Sequence, residues 1–294
     1  MTTQFRGAYT ALVTPFKNGK VDEDAYRAFI DWQIEQGIDG VVAVGTTGES
    51  ATLTHHEHEE VIRICVEHVK GRVPVIAGTG GNDTHEAITL TKYAKKVGAD
   101  ASLQVTPYYN KPTQEGLIAH YKAIAKAAPL PMIVYNVPGR TSVNLLPKTL
   151  ARLVRECPEV VAVKEATGDL KQVSQVVKDC GPDFQVISGD DFTVLPLLAV
   201  GGCGVISVVS NVAPADMAAL CKAAFDGKWD EAKKLHYKLW PLNIAMFLET
   251  NPVPVKSALA LMGMMSADLR LPLVPMLPEN QAALEKILKE AKLI

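Results

Sequence analysis

Along the first two-thirds of the chain, short apolar runs alternate with longer stretches in which apolar positions recur every three or four residues. The short runs begin at Gly7 (GAYTALVTP), Asp39 (DGVVAVG), Pro74 (PVIAGTG), Ala101 (ASLQVTPY), Pro131 (PMIVYNVP), Val160 (VVAVKEAT), Phe184 (FQVISGD) and Gly204 (GVISVVSN). They carry few polar interruptions, which predicts strands covered on both faces. Between them lie segments such as DEDAYRAFIDWQIEQG, HHEHEEVIRICVEHVKG, DTHEAITLTKYAKKVG and TQEGLIAHYKAIAKAA, with apolar residues at i, i+3, i+4 and i+7. Several end in glycine, a helix stop; Ala25, Phe29, Trp32 and Gln36 step along one such helix, which Gly37 terminates. Eight alternations over roughly 220 residues predict a parallel sheet closed as a (β/α)8 TIM barrel. A Rossmann sheet is disfavoured, because the first strand ends in Thr14-Pro15 rather than in a glycine-rich turn.

After Asn211 the pattern becomes purely helical: DMAALCKAAFDG, WDEAKKLHYKLWPLNIAMFLE, VPVKSALALMG and NQAALEKILKEAKLI. The expected organisation is a catalytic barrel over residues 1–224 and a C-terminal helical extension over 225–294 packed on it. Pro252, Pro254, Pro272, Pro275 and Pro278 are expected to mark helix stops and turns. The extension can cover the barrel or supply an oligomer surface, and the pattern alone does not choose.

Composition narrows the function. Apolar residues are 48% of the 294 and charged residues 21%, so a large core can form. With 30 basic against 32 acidic residues there is no basic field to hold nucleic acid. No apolar run approaches the roughly 18 residues of a membrane span. The start, MTTQFRGAYTALVTPF, lacks the basic and then apolar pattern of a secretory signal. Cys65, Cys157, Cys180, Cys203 and Cys221 are odd in number and widely spread, as reduced thiols would be. A cytoplasmic protein is expected.

In such a barrel the chemistry belongs at the C-terminal strand ends, here GTTGES, TPYYNKP, YNVPGRT, KEATGD and SGDD. Lys164 follows four apolar residues inside a strand that should be buried. Either it forms a structural ion pair, with Glu165 or another strand-end carboxylate, or burial lowers its pKa and frees the amine to form a Schiff base. Tyr135, at similar depth on the preceding strand, is either a core aromatic or a proton relay beside that amine. Thr46 and Thr47, in a turn flanked by Gly45 and Gly48, offer donors for a small carboxylate. Arg140 offers a fork for a second carboxylate, or is a solvated surface charge. His55, His56 and His58 cluster with Glu57, Glu59 and Glu60 at a helix start. His55 and His58 share a face, yet the pattern is not HExxH and no third metal ligand stands out.

Taken together, GTTGES, VTPYYNKPTQEG, YNVPGRT, KEATGDL, SGDD and GGCGVISVVSN, in this order and spacing, resemble the dihydrodipicolinate synthase family over essentially the whole chain. That family lies in the class I pyruvate aldolase superfamily with N-acetylneuraminate lyase. The resemblance implies a (β/α)8 barrel that condenses pyruvate with L-aspartate 4-semialdehyde in lysine biosynthesis through diaminopimelate, with no metal or organic cofactor. It implies Lys164 as the Schiff-base lysine, Tyr135 as proton donor and acceptor, and Thr46 and Tyr109 as relay partners, Tyr109 reaching in from a neighbouring subunit. Thr47, the Ile206 backbone and Gly189 would line the pyruvate pocket, and Arg140 would hold the semialdehyde carboxylate. A site for L-lysine as feedback inhibitor would involve Ser50, Ala51, His55, His58, Asn82, Glu86 and Tyr108. A homotetramer built as a dimer of dimers is implied. Another pyruvate aldolase, such as a sialic acid lyase or keto-sugar-acid aldolase, is the alternative; GTTGE, Arg140 and the paired tyrosines favour the semialdehyde.

Overall fold

The computed structural model describes residues 4–294. Eight parallel strands close into a barrel: β1 (Gly7–Ala11), β2 (Gly40–Ala43), β3 (Val75–Gly78), β4 (Ala101–Val105), β5 (Met132–Asn136), β6 (Val160–Glu165), β7 (Gln185–Ser188) and β8 (Gly204–Ser207). Each pairs with its sequence neighbours, and β1 closes the ring on β8 through Tyr9 opposite Ile206. All eight coincide with the expected apolar runs. Alternation along each strand divides the core. Tyr9, Val42, Ile76, Leu103, Ile133, Ala162, Ile187 and Ile206 fill the barrel, while the other faces pack against the helices.

Local chemistry sets where each helix begins. Asp22 caps α1 (Glu23–Glu35), accepting from the Ala25 amide at 3.1 Å. Thr54 and Glu57 form a reciprocal capping box at α2 (His55–Val69). Asp83 and Thr113 cap α3 (Thr84–Val97) and α4 (Gln114–Ala127). The short α5 (Pro138–Thr141) and then α6 (Pro147–Glu156) follow β5. Asp169 caps α7 (Leu170–Cys180), and α8 (Val194–Ala199) and α9 (Pro214–Phe225) complete the ring. The helical remainder comprises α10 (Trp229–Ala245), α11 (Val253–Leu261) and α12 (Pro278–Glu290).

Two features depart from the expectation. Pro254 and Pro278 do not stop helices: they sit in the first turns of α11 and α12, where no amide hydrogen is needed. A small antiparallel hairpin, Phe16–Lys17 with Lys20–Val21, also follows β1. Its Asn18-Gly19 turn takes positive φ at both residues, the twist that suits a two-residue hairpin. Among the described residues no helix is long and apolar enough to cross a membrane.

The seam between β1 and β8 depends on Asn211. Its buried side chain accepts from the Val13 amide (3.2 Å) and donates to the Ala11 (2.8 Å) and Val208 (2.9 Å) carbonyls. Asn211→Ala removes all three bonds and takes their side-chain partner from the buried Val13 amide and Ala11 carbonyl, while the Val208 carbonyl keeps the residue 211 amide, so the expected loss of stability is about 2–4 kcal/mol. Urea denaturation measures it, and an unchanged midpoint contradicts this role for Asn211.

Candidate active site

Lys164 lies two residues after Ala162 and Tyr135 two after Ile133, so both side chains fall on the inner barrel face. Their strands pair in register, Tyr135 opposite Lys164, and the Lys164 Nζ sits 4.3 Å from the Tyr135 ring centroid. Lys164 is only 6% exposed. Burial drives its pKa down to about 7; the Asp191 carboxylate resists that fall and the Arg140 guanidinium adds to it. Glu165, one residue on, faces away from the barrel interior and is held by Asn136 Nδ2 (3.1 Å), Gln172 Nε2 (3.2 Å) and the Thr167 amide (2.9 Å). It is not the partner of Lys164, which makes no ion pair among the described residues. Of the two readings of this lysine, the geometry therefore favours the free amine.

The neighbours are shaped to this amine. A Cβ on Gly189 would stand 3.1 Å from both the Cγ and Cε of Lys164 and 2.7 Å from the Ala166 Cβ, so only glycine leaves room for the stem. Burial also raises the Tyr135 pKa, and the Arg140 charge and a hydrogen bond with the Thr46 hydroxyl oppose the rise. Asp191 is buried, with one carboxylate oxygen accepting from the Val208 and Val209 amides at 3.0 Å each. It therefore ties the end of β7 to the segment just after Ile206, whose side chain lies inside the barrel.

Thr46 also lines a cavity of about 290 Å³ at the C-terminal mouth of the barrel. Tyr108, Arg140, Val105, Asn251 and Leu273 contribute to its walls. Thr47 is buried beside it, and its hydroxyl accepts from Asn251 Nδ2 at 3.0 Å. The Asn251 carbonyl receives Arg140 Nη2 at 3.5 Å. Arg140 thus stands on the cavity wall, and Thr46 links that wall to the buried Tyr135 phenol beside the Lys164 amine. That arrangement suits a small keto acid meeting a second, anionic carbonyl compound.

The remaining expected positions divide. Ser50 and Ala51 share the cavity wall with Tyr108. His55 Nε2 pairs with Glu86 Oε1 at 2.9 Å, the charge of Glu86 also acts on Tyr108, and the Asn82 carbonyl accepts from Asn110 Nδ2 at 2.8 Å. The His58 Nε2 is engaged by the Gly78 carbonyl at 2.7 Å, and burial lowers its pKa. The two histidines are therefore occupied separately, and no group of three His, Cys, Asp or Glu side chains among the described residues is placed to hold a metal ion. Tyr109 stands apart: it is 91% exposed at φ 71°, a backbone region that bulky residues rarely adopt, and it is not part of the cavity wall.

Asn251 was not among the expected site residues, and nothing in the local sequence marks it. Asp191 lay within the SGDD motif, where two adjacent acids at a strand end were the available signal.

The family model described as the dihydrodipicolinate synthetase family matches residues 4–291. The 4-hydroxy-tetrahydrodipicolinate synthase of Nitratidesulfovibrio vulgaris (strain Miyazaki F) is 65% identical over 291 residues, covering 99% of this chain and 100% of the relative. The dihydrodipicolinate synthase of Acinetobacter baumannii, solved as a complex with pyruvate, superposes with a TM-score of 0.97 at 47% identity, over 99% of this chain and 100% of that one. That of Cyanidioschyzon merolae, solved with lysine bound, gives 0.96 at 43% identity, over 99% of each chain.

A buried amine with its pKa near 7 predicts a specific pH dependence. Borohydride trapping of a small 2-keto acid on Lys164 should fall roughly tenfold per pH unit below that value and level off above it. Mass spectrometry of the adduct follows the rate. A rate still climbing through pH 9 would mean an amine of ordinary basicity and would sink the assignment.

Proposed function

The chain belongs to the dihydrodipicolinate synthetase family, and from that membership we infer that it joins pyruvate to L-aspartate 4-semialdehyde through a lysine Schiff base. The product is 4-hydroxy-tetrahydrodipicolinate, on the diaminopimelate route to lysine. The observation that carries this reading is the unpaired, buried Lys164 amine set against the Tyr135 ring, with Arg140 and the Tyr135 partner Thr46 on the wall of the neighbouring cavity.

In the proposed sequence, neutral Lys164 attacks the pyruvate ketone carbon and the carbonyl oxygen leaves as water. The resulting iminium draws electrons from the adjacent methyl group, which loses a proton and becomes an enamine. The enamine carbon adds to the aldehyde, whose oxygen takes up a proton. The semialdehyde's own amino group then displaces Lys164 and closes the ring, returning the amine. Tyr135, kept protonated by burial and hydrogen-bonded to Thr46, is the group suited to give and take these protons. Thr47 and the Ile206 backbone are assigned to the pyruvate carboxylate, Gly189 to the same pocket, and Arg140 to the semialdehyde carboxylate.

The exposure of Tyr109 supports its assignment to a neighbouring subunit's relay, which makes at least a dimer necessary and accords with a tetramer of paired dimers. Five unpaired cysteines accord with a reducing, cytoplasmic setting.

Initial rates with pyruvate plus aspartate semialdehyde, set beside pyruvate plus N-acetylmannosamine, test the reaction. Turnover is expected only with the semialdehyde and is lost in Lys164→Ala. Turnover only with the sugar would keep the Schiff base but overturn the role given to Arg140.

We also assign Ser50, Ala51, His55, His58, Asn82, Glu86 and Tyr108 to L-lysine as feedback inhibitor, with Glu86 facing the ligand's ammonium groups and Asn82 and Tyr108 its carboxylate. Inhibition by L-lysine is expected, with the half-inhibitory concentration raised roughly tenfold or more in Glu86→Ala, since a charged hydrogen-bond partner is lost. A rate unmoved to high millimolar lysine would refute the site.

A further inference from the structure

Lys256 lies in the apolar run of α11 and is 0% exposed. Its Nζ donates to Glu49 Oε1 at 2.6 Å and lies 4.2 Å from the Phe16 ring centroid. The second Glu49 oxygen accepts from the Arg270 amide at 3.2 Å, and the Arg270 guanidinium reaches both oxygens of Glu57 (2.5 and 2.8 Å) and the Thr52 carbonyl (3.0 Å). Glu49 thus joins the β2–α2 loop to two separate points of the C-terminal helical segment.

A fully buried ion pair is a poor way to gain stability, because two apolar side chains of similar size would avoid the desolvation of both charges. What the pair does supply is a fixed position. Glu49 takes a left-handed backbone conformation (φ 55°), and its amide donates to the Thr46 carbonyl at 3.1 Å, closing the turn that carries Thr46 and Thr47. At the other side of this turn Asn251, five residues before Lys256, holds the Thr47 hydroxyl. The same C-terminal segment therefore grips the turn at Thr47 and at Glu49, while Thr46, just before Thr47, meets Tyr135.

We propose that Glu49 and Lys256 are positioning residues for the reaction, holding the turn of residues 45–49 so that Thr46 stays against Tyr135 and Thr47 faces the keto-acid carboxylate. This rests on the pyruvate Schiff-base reading above. Neither residue touches the reacting atoms; both act through Thr46 and Thr47.

The test is the pyruvate dependence of borohydride trapping at Lys164, followed by mass, together with kcat, in the full-length protein held well below its melting temperature. Glu49→Gln with Lys256→Met removes both charges and leaves neither unpaired. Half-saturation for pyruvate is expected to rise, and kcat to fall, by roughly 10- to 100-fold, the scale of a displacement near one ångström. A role confined to stability would lower the melting temperature and leave both readouts at the wild-type value, which would overturn the proposal. Should that variant fail to fold, Glu49→Asp keeps the charge pair with an arm one methylene shorter. It is expected to shift the same readouts in the same direction, and wild-type values in the folded protein would again overturn it. Absence of trapping in the wild-type protein itself would instead overthrow the Schiff-base reading, and this proposal with it.

Discussion

Removing a lysine amine from water inside a barrel of apolar side chains is the constraint on which the site depends. Charge is disfavoured there, so the amine is brought to a pKa near 7 and is substantially neutral at physiological pH. The surroundings hold it near that point. Asp191, fixed by two backbone amides, counters the burial; Arg140 pushes the other way; Gly189 leaves room for the stem. Lys256 is the informative contrast. It too is buried and its pKa is lowered, yet a carboxylate stands 2.6 Å from its Nζ. That amine is committed to an ion pair, whereas the Lys164 amine is free to attack a carbonyl. Both lysines interrupt apolar runs, and the distance to the nearest carboxylate separates their roles.

Much of the frame was legible in the chain because it is written in periodicity. All eight strands fall within the expected runs, and strand-end motifs located Lys164, Tyr135, Thr46 and Arg140 at one end of the barrel. Parity along a strand then put Lys164 and Tyr135 on the inner face, a step of two from residues already in the core. The missed features depend on contacts distant in sequence. Asn251 and Lys256 reach Thr47 and Glu49 across 204 and 207 positions, and no local pattern encodes such a pairing. Lys256 did carry a signal, a lysine amid VPVKSALAL, of the kind that singled out Lys164. The hairpin at Asn18-Gly19 was likewise marked by its turn residues, but two-residue strands fall below what alternation can resolve. Pro254 and Pro278 were legible as helix boundaries, and their sign was reversed because proline fits a first turn as readily as it ends a helix.

The barrel interior and the rim of the cavity at its mouth are built on different physics. In the interior, Lys164 and Tyr135 are fixed by strand register and by close packing within the barrel, which leaves their separation little freedom. At the rim, Thr46, Thr47 and Arg140 sit on a turn and a four-residue helix, elements too short to hold a geometry unaided. Their order comes from outside the barrel, through Asn251 against Thr47 and Arg140, and Lys256 against Glu49. Substitutions in the C-terminal segment can therefore reshape the opening without moving the amine or the phenol. An architecture divided in this way can keep the interior pair of groups fixed while the shape and lining of the opening change. It also makes the connections between the C-terminal helices part of the cavity wall, through Thr250, Asn251, Pro252, Pro272 and Leu273, so their part in shaping the opening is separable in principle from any part the helices play in assembly.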